Sequence, residues 1–331
     1  MTRIIRVASA QVGAIGKDTS PLVVVNRLIK MLDQAHEEGV KLVNFPELAF
    51  STFFARFLIP YGEELDKWFL KGDVRKIEPY DKFFAKAKEY GISISIGYAE
   101  LTDEGDHYNT SIFVDQDGNI VNKYRKTHLP GDKEPVPNAP HQHLEKRYFL
   151  PGNTGFKAFR WPGTGTGHGG PIVGQLICND RRWCESWRVL GLQGTELVLI
   201  GYNTPTASKW LDGVDPGKAG IDSDKLAKHQ NDICLMYNTY SNCCFSICSA
   251  RCGIDDGKYG MISGSTIIDP NGIIIAKAES EGDELIWADI DLDQCYGSRD
   301  RVFNFGKHRR PEMYGLIVEQ RGVEEIPELA N

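Results

Sequence analysis

The chain has 331 residues, 41% of them hydrophobic and 25% charged, with a formal net charge of −7. That balance supplies a large soluble core and argues against a surface built for nucleic acid or an anionic membrane, so neither partner is expected. No apolar run approaches the roughly 18 residues of a membrane span, and no Pro/Ser-rich stretch or charge block marks a linker, so a single domain over 1–331 is expected.

Residues 4–11 alternate as a strand, entered directly from Met1 without the apolar core of a signal peptide. A cytoplasmic protein is therefore expected, with its 8 cysteines as free thiols. Residues 23–38 have helical apolar spacing at Val24, Leu28 and Leu32 and stop at Gly39. A buried strand over 41–45 leads to Glu47. A helix over 80–90 ends at Gly91, and 92–98 alternates Ile with Ser or Gly as a strand. Strands over 109–114 and 120–124 flank Asp115-Gln-Asp-Gly-Asn119, a hairpin turn. A long non-periodic loop, 128–151, is rich in Pro and His, and loops of that length are often functional.

A strand over 156–161 follows. Gly163-Thr-Gly-Thr-Gly-His-Gly-Gly170 invites a phosphate-loop reading, but it lacks the Gly-Lys-Ser/Thr ending and leads into a strand, so it reads as a hairpin connection. The apolar run 171–178 ends on Cys178, and a helix over 185–192 comes after a short polar stretch. A strand (197–200), a helix (224–238) and strands over 245–250, 264–268, 272–278 and 285–290 complete the pattern. Helices and strands alternate with antiparallel hairpins interspersed, which points to a mixed-sheet α/β fold. Cys243, Cys244, Cys248 and Cys252 invite a metal or iron–sulfur reading. On a strand, however, 244, 246, 248, 250 and 252 share one face, a row of small residues against which a helix can pack.

Cys178 stands at a strand-to-helix corner, where the partial positive charge of a helix N-terminus is expected to lower the thiol pKa and favour the reactive thiolate. Val43-Asn-Phe-Pro-Glu47 and Lys123-Tyr-Arg-Lys126 place a carboxylate and an ammonium at two other strand ends. Each residue alone has an ordinary reading, as a small core residue, a loop carboxylate or surface charge. Together, a thiol, a carboxylate and an ammonium are the minimum set for nucleophilic attack on an amide-like carbon. The adjacent guanidinium groups of Arg181 and Arg182, within a turn of the thiol, suit a carboxylate.

In these settings Glu47, Lys126 and Cys178 resemble the carbon–nitrogen hydrolase, or nitrilase, superfamily. Phe45-Pro-Glu-Leu-Ala49, Thr52-Phe-Phe54, Lys123-Tyr-Arg-Lys-Thr-His-Leu-Pro-Gly131, His143-Leu-Glu-Lys-Arg-Tyr-Phe149, Ile177-Cys-Asn-Asp-Arg-Arg-Trp183 and Gly201-Tyr-Asn-Thr-Pro-Thr206 are similar to the N-carbamoyl-D-amino acid amidohydrolases. The resemblance runs from about residue 5 to 317; 207–223 and the tail after Val318 depart from it. It implies a four-layer α-β-β-α sandwich with two mixed β-sheets, a C-terminal arm over about 295–331, and a homodimer or homotetramer. It also implies that Cys178 is the nucleophile, Glu47 the general base and Lys126 the oxyanion donor, helped by the backbone N–H of Asn179. Glu145 would hold Lys126 and orient the substrate. Arg181, Arg182, Asn203 and Thr204 would hold the amino acid's carboxylate, and His128 and His143 would line the pocket. The implied reaction releases a D-amino acid, carbon dioxide and ammonia through a carbamoyl thioester, without metal or cofactor. D-selectivity rests on the resemblance alone. An amidase, nitrilase or β-ureidopropionase, or a non-catalytic binding protein on the same fold, are the alternatives.

Overall fold

The computed structural model describes residues 3–139, 142–167, 169–206 and 223–324. Of the divergent stretch 207–223, all but the last residue falls outside them, as does the tail beyond 324. The strands are, in chain order, β1 (Ile4–Gln11), β2 (Leu42–Asn44), β3 (Leu70–Lys71), β4 (Ser93–Leu101), β5 (His107–Val114), β6 (Ile120–Arg125), β7 (Phe159–Arg160), β8 (Ile172–Ile177), β9 (Leu197–Tyr202), β10 (Phe245–Ala250), β11 (Ile254–Asp255), β12 (Tyr259–Gly260), β13 (Thr266–Ile268), β14 (Ile274–Lys277) and β15 (Glu284–Asp291). One sheet runs β15-β1-β2-β4-β5-β6, with β3 beside β4; the other runs β14-β13-β10-β9-β8-β7.

Both sheets are mixed for the same topological reason. Parallel neighbours need a crossover, and helices supply it. The Pro21–Glu37 helix links β1 to its parallel partner β2, and the Asp81–Glu89 helix precedes β4, which pairs parallel with β2. In the second sheet the Cys184–Leu192 helix links β8 to β9, and the Ser223–Asn242 helix precedes β10. Hairpin-connected strands then add antiparallel pairs such as β4–β5 and β13–β14.

The layers follow from three apolar clusters. Val24, Leu28, Leu32 and Phe83 of the first helices pack on Ala8, Val43 and Ile94. Val7, Leu42, Phe113, Leu199, Phe245 and Ile247 fill the space between the sheets. Trp187, Leu190 and Leu235 of the later helices cover Leu176, Ile200, Cys244 and Cys248. The result is an α-β-β-α sandwich. The small-residue face of β10 lies under the Ser223–Asn242 helix, where Thr239 Oγ1 reaches Ser246 Oγ at 2.7 Å. No helix among the described residues is long and apolar enough to cross a membrane.

Three departures from the sequence reading have local causes. The strand expected over 156–161 shrinks to Phe159–Arg160, because the Ala158 N–H donates to Gln193 Oε1 and not to a ladder. The helix expected to end at 238 continues to Asn242, whose side-chain amide caps the Asn238 carbonyl at 2.9 Å. The region from residue 295, read as a non-periodic arm, contains the short helices Phe305–His308 and Gly315–Glu319. Elements of four or five residues carry too few turns for apolar periodicity to register.

Candidate active site

Between the sheets, contact at one end is polar. Asn44 Nδ2 donates to Ile200 O at 2.9 Å and Ile247 O at 3.1 Å, both on the opposite sheet. Just beyond it, the turn carrying Glu47 is wedged between two glycines. A Cβ on Gly97 would lie 2.8 Å from Glu47 Cα, and one on Gly201 would lie 2.6 Å from Glu47 N. Only glycine permits that approach, which drives Glu47 into the space between the sheets.

The Lys123-Tyr-Arg-Lys126 motif sorts its charges by strand alternation. Lys123 and Arg125 pair with Glu100 on one face, and Tyr124 on the other donates to Asp180 Oδ2 at 2.7 Å. Lys126, at the strand end, turns inward. Its side chain is fully buried, with Nζ 2.7 Å from Glu47 Oε1 and 2.5 Å from Glu145 Oε2. An ammonium has three N–H donors, so two are engaged by carboxylates and, among the described residues, one is left over. Glu145, opening the four-residue helix Glu145–Tyr148, also accepts from His143 Nε2 at 3.0 Å. Glu47 is held by Asn109 Nδ2 at 2.7 Å and by the Asn203 N–H at 2.9 Å.

Cys178 follows β8 directly and adopts φ 47, a left-handed conformation that a non-glycine residue holds at a cost of about 1–3 kcal/mol. The bend turns the chain off the sheet into the short helical turn Cys178–Arg182. Its Sγ lies 3.8 Å from the Asn203 carbonyl and 3.7 Å from Arg181 Nη1. Asp180 fixes the turn, accepting from the Ile177 N–H at 3.1 Å and from the His128 N–H at 2.9 Å.

The electrostatics divide the labour between the carboxylates. Burial pushes Glu47 above the usual carboxylate range, against the pull of Lys126. Burial pushes Glu145 the same way, but Lys126 and His143 outweigh it and hold Glu145 below that range. Burial also works against the charge of Lys126, yet Cys178, Glu145 and Glu47 keep it protonated well above its ordinary value. The two buried carboxylates are thus driven in opposite directions, Glu47 up and Glu145 down. The expectation for the thiol is corrected. Burial, followed by the Glu47 carboxylate, pushes Cys178 above its ordinary value, and the cations Lys126 and Arg181 only partly offset this. The helical turn at Cys178 is five residues long and offers little dipole.

The structure thus brings Glu47, Lys126, Glu145, Cys178, His143, Asn203, Thr204 and Arg181 together. Asn179 Nδ2 reaches the His128 carbonyl at 3.3 Å, tying the cysteine turn to the long loop. His128 stacks on Phe156 and Trp183, with Nδ1 2.8 Å from Asp180. Asn203 commits its side-chain amide N–H to the Glu47 carbonyl at 2.9 Å, and its buried Oδ1 has no partner among the described residues. Arg181 is fully buried while Arg182 is exposed, because consecutive residues of a tight helical turn point about 120° apart. Sequence reasoning missed Asn109, Asp180 and Asn231. Asp180 lies inside the Cys178 motif and Asn109 in a formal glycosylation sequon, whereas Asn231 has no local signal.

Residues 6–300 match the carbon–nitrogen hydrolase family. An N-carbamoylputrescine amidase from Arabidopsis thaliana is 27% identical over 301 residues, 88% of this chain and 89% of its own length. A citrullinase from Francisella tularensis is 28% identical over 300 residues, 89% of this chain and 92% of its own. A carbon–nitrogen hydrolase from Helicobacter pylori G27 superposes with a TM-score of 0.76 at 21% identity, covering 96% of this chain and 99% of that one.

Proposed function

The chain belongs to the carbon–nitrogen hydrolase family, of the nitrilase superfamily, and from that premise we propose that it hydrolyses the carbamoyl C–N bond of N-carbamoyl-D-amino acids. The observation that carries the chemistry is the buried Glu47–Lys126–Glu145 chain, with contacts of 2.7 and 2.5 Å, beside the buried thiol of Cys178.

In this reading Glu47 takes the Cys178 proton and the sulfur attacks the carbamoyl carbon. The oxygen of the tetrahedral intermediate meets the third N–H of Lys126 and the backbone N–H of Asn179. The C–N bond breaks, the amine leaves with the proton from Glu47, and a carbamoyl thioester remains on Cys178. Glu47 then draws a proton from water, whose oxygen attacks the thioester carbon. The thiol is regenerated, and the released carbamic acid falls apart to carbon dioxide and ammonia. Glu145, held ionised, keeps Lys126 charged and aimed throughout.

A carbamoyl substrate is supported by the similarity to an N-carbamoylputrescine amidase. A carboxylate on that substrate is supported by Arg182, exposed four residues after the nucleophile. His128, stacked and oriented beside the same turn, lines the pocket in this reading, as does His143. We extend the proposal to pairing of two copies, since Val189, Leu192, Tyr237 and Ile317 line an exposed groove of about 710 Å³ along the helical face and the C-terminal segment.

The test is a chiral product assay on racemic N-carbamoyl amino acids, with N-carbamoylputrescine and a plain amide as competitors. Release of D-amino acids alone supports the reading; turnover confined to N-carbamoylputrescine or to the amide would replace it. Arg182→Leu should lower kcat/KM about tenfold or more for N-carbamoyl amino acids and little for the matching N-carbamoyl amines, which have no carboxylate to lose. Equal losses on both substrates would remove Arg182 from substrate recognition.

A further inference from the structure

Arg181 is buried completely, and its contacts all lie around the cysteine turn. Nε donates to Asn231 Oδ1 at 2.9 Å, Nη2 to Thr204 Oγ1 at 2.8 Å, and Nη1 to the Cys178 carbonyl at 2.8 Å. Nη1 also lies 3.7 Å from Cys178 Sγ, and the guanidinium stands 4.5 Å over the Tyr202 ring. A guanidinium has five N–H donors. Among the described residues, Nε, both Nη1 positions and one of Nη2 are engaged, which leaves a single N–H there, too few for the parallel pair that grips a carboxylate.

A buried cation needs a counter-charge. Among the described residues, no carboxylate forms an ion pair with Arg181. Its partners Asn231 and Thr204 are neutral, and the nearby Asp180 is occupied by Tyr124, His128 and the Ile177 N–H. The anion that the arrangement does provide for is the sulfur, once it ionises.

We propose that Arg181 is the counter-cation of the Cys178 sulfur, a catalytic residue and not a receptor for the substrate's carboxylate, and that Asn231 is the positioning residue that aims it. This rests on the reading of Cys178 as nucleophile. When the S–H proton passes to Glu47, Arg181 faces the charge left on sulfur until the S–C bond forms. It faces that charge again when water attacks the thioester, the S–C bond breaks and the sulfur departs. Lys126 is thereby left to the carbamoyl oxygen. Asn231 is itself tethered, with Nδ2 3.4 Å from the Tyr202 hydroxyl and 3.3 Å from Asp232 Oδ1. Arg181 also draws the thiol down, in opposition to the larger upward push of burial.

The experiment measures the rate of iodoacetamide alkylation at Cys178, resolved by peptide mass, against pH. It is run on the wild-type protein, Arg181→Gln, Arg181→Lys and Asn231→Leu, alongside steady-state kinetics on an N-carbamoyl amino acid and the matching N-carbamoyl amine. In Arg181→Gln and Asn231→Leu the midpoint should move to higher pH, so that alkylation below it falls about tenfold for each unit of displacement. Arg181→Lys, which keeps a charge, should fall between. The loss in kcat should be equal on the two substrates, with KM little changed. An unmoved midpoint, or a loss confined to the carboxylate-bearing substrate, overturns the proposal. Should Arg181→Gln not fold, Asn231→Leu and Arg181→Lys decide it by the same criteria. Failure of Cys178 to alkylate in the wild-type protein, or turnover persisting in Cys178→Ala, would overturn the nucleophile reading and this proposal with it.

Discussion

Cys178→Ala will purify as a folded, soluble protein with essentially no turnover. The substitution removes the sulfur that carries the covalent intermediate in the proposed mechanism. It leaves the backbone of the turn to Asp180, which anchors Ile177 and His128 without help from the sulfur. Alanine also meets the φ 47 position with the same Cβ that cysteine already places there, so no new strain arises. The thermal midpoint should stay close to that of the wild type. Retention of more than a few per cent of the wild-type rate in the purified variant would dismiss the covalent mechanism.

The second large effect belongs to Glu47 and Lys126. Glu47→Gln keeps the shape and should lose activity through kcat more than KM, because proton transfer is made in the transition state. Lys126→Ala should lose at least the 10²–10³-fold typical of a missing oxyanion donor. It should also lower stability by about 3–5 kcal/mol, since Glu47 and Glu145 would face each other in a buried site without their shared cation. The pH profile tests the role of Glu47 independently. A base works only when ionised, and burial raises this carboxyl above the usual range. The acidic limb of kcat/KM should therefore lie above that of an exposed glutamate and disappear in Glu47→Gln. A variant with normal kcat and a weakened KM would assign its residue to substrate binding.

Much of this was legible in the sequence because the elements that frame the site are long enough to carry a period. The strand before Glu47, the hairpin before Lys126 and the apolar run before Cys178 each announce themselves by pattern and end at a residue with chemistry. What pattern does not carry is depth. Nothing local says that Cys178 lies under enough protein to raise its thiol, or that Arg181 sinks while Arg182 stays exposed. Adjacency on a tight turn separates side chains; it does not pair them. Asn231 illustrates the limit further. It reaches Arg181 from a helix 50 positions along the chain, through a tertiary contact with no sequence signature. Gly97 and Gly201 are similar, since each reads as a gap in a strand until the Glu47 backbone is found pressed against it.

In the proposed mechanism the carbamoyl group passes through the sulfur of Cys178. The most direct measurement is rapid acid quenching of the wild-type protein during turnover of an N-carbamoyl amino acid, followed by peptide mass analysis. One carbamoyl group should appear on the peptide containing Cys178, rise within the first turnover and disappear when substrate is exhausted. Full turnover with the label absent from Cys178, or carried by another residue, would contradict the account.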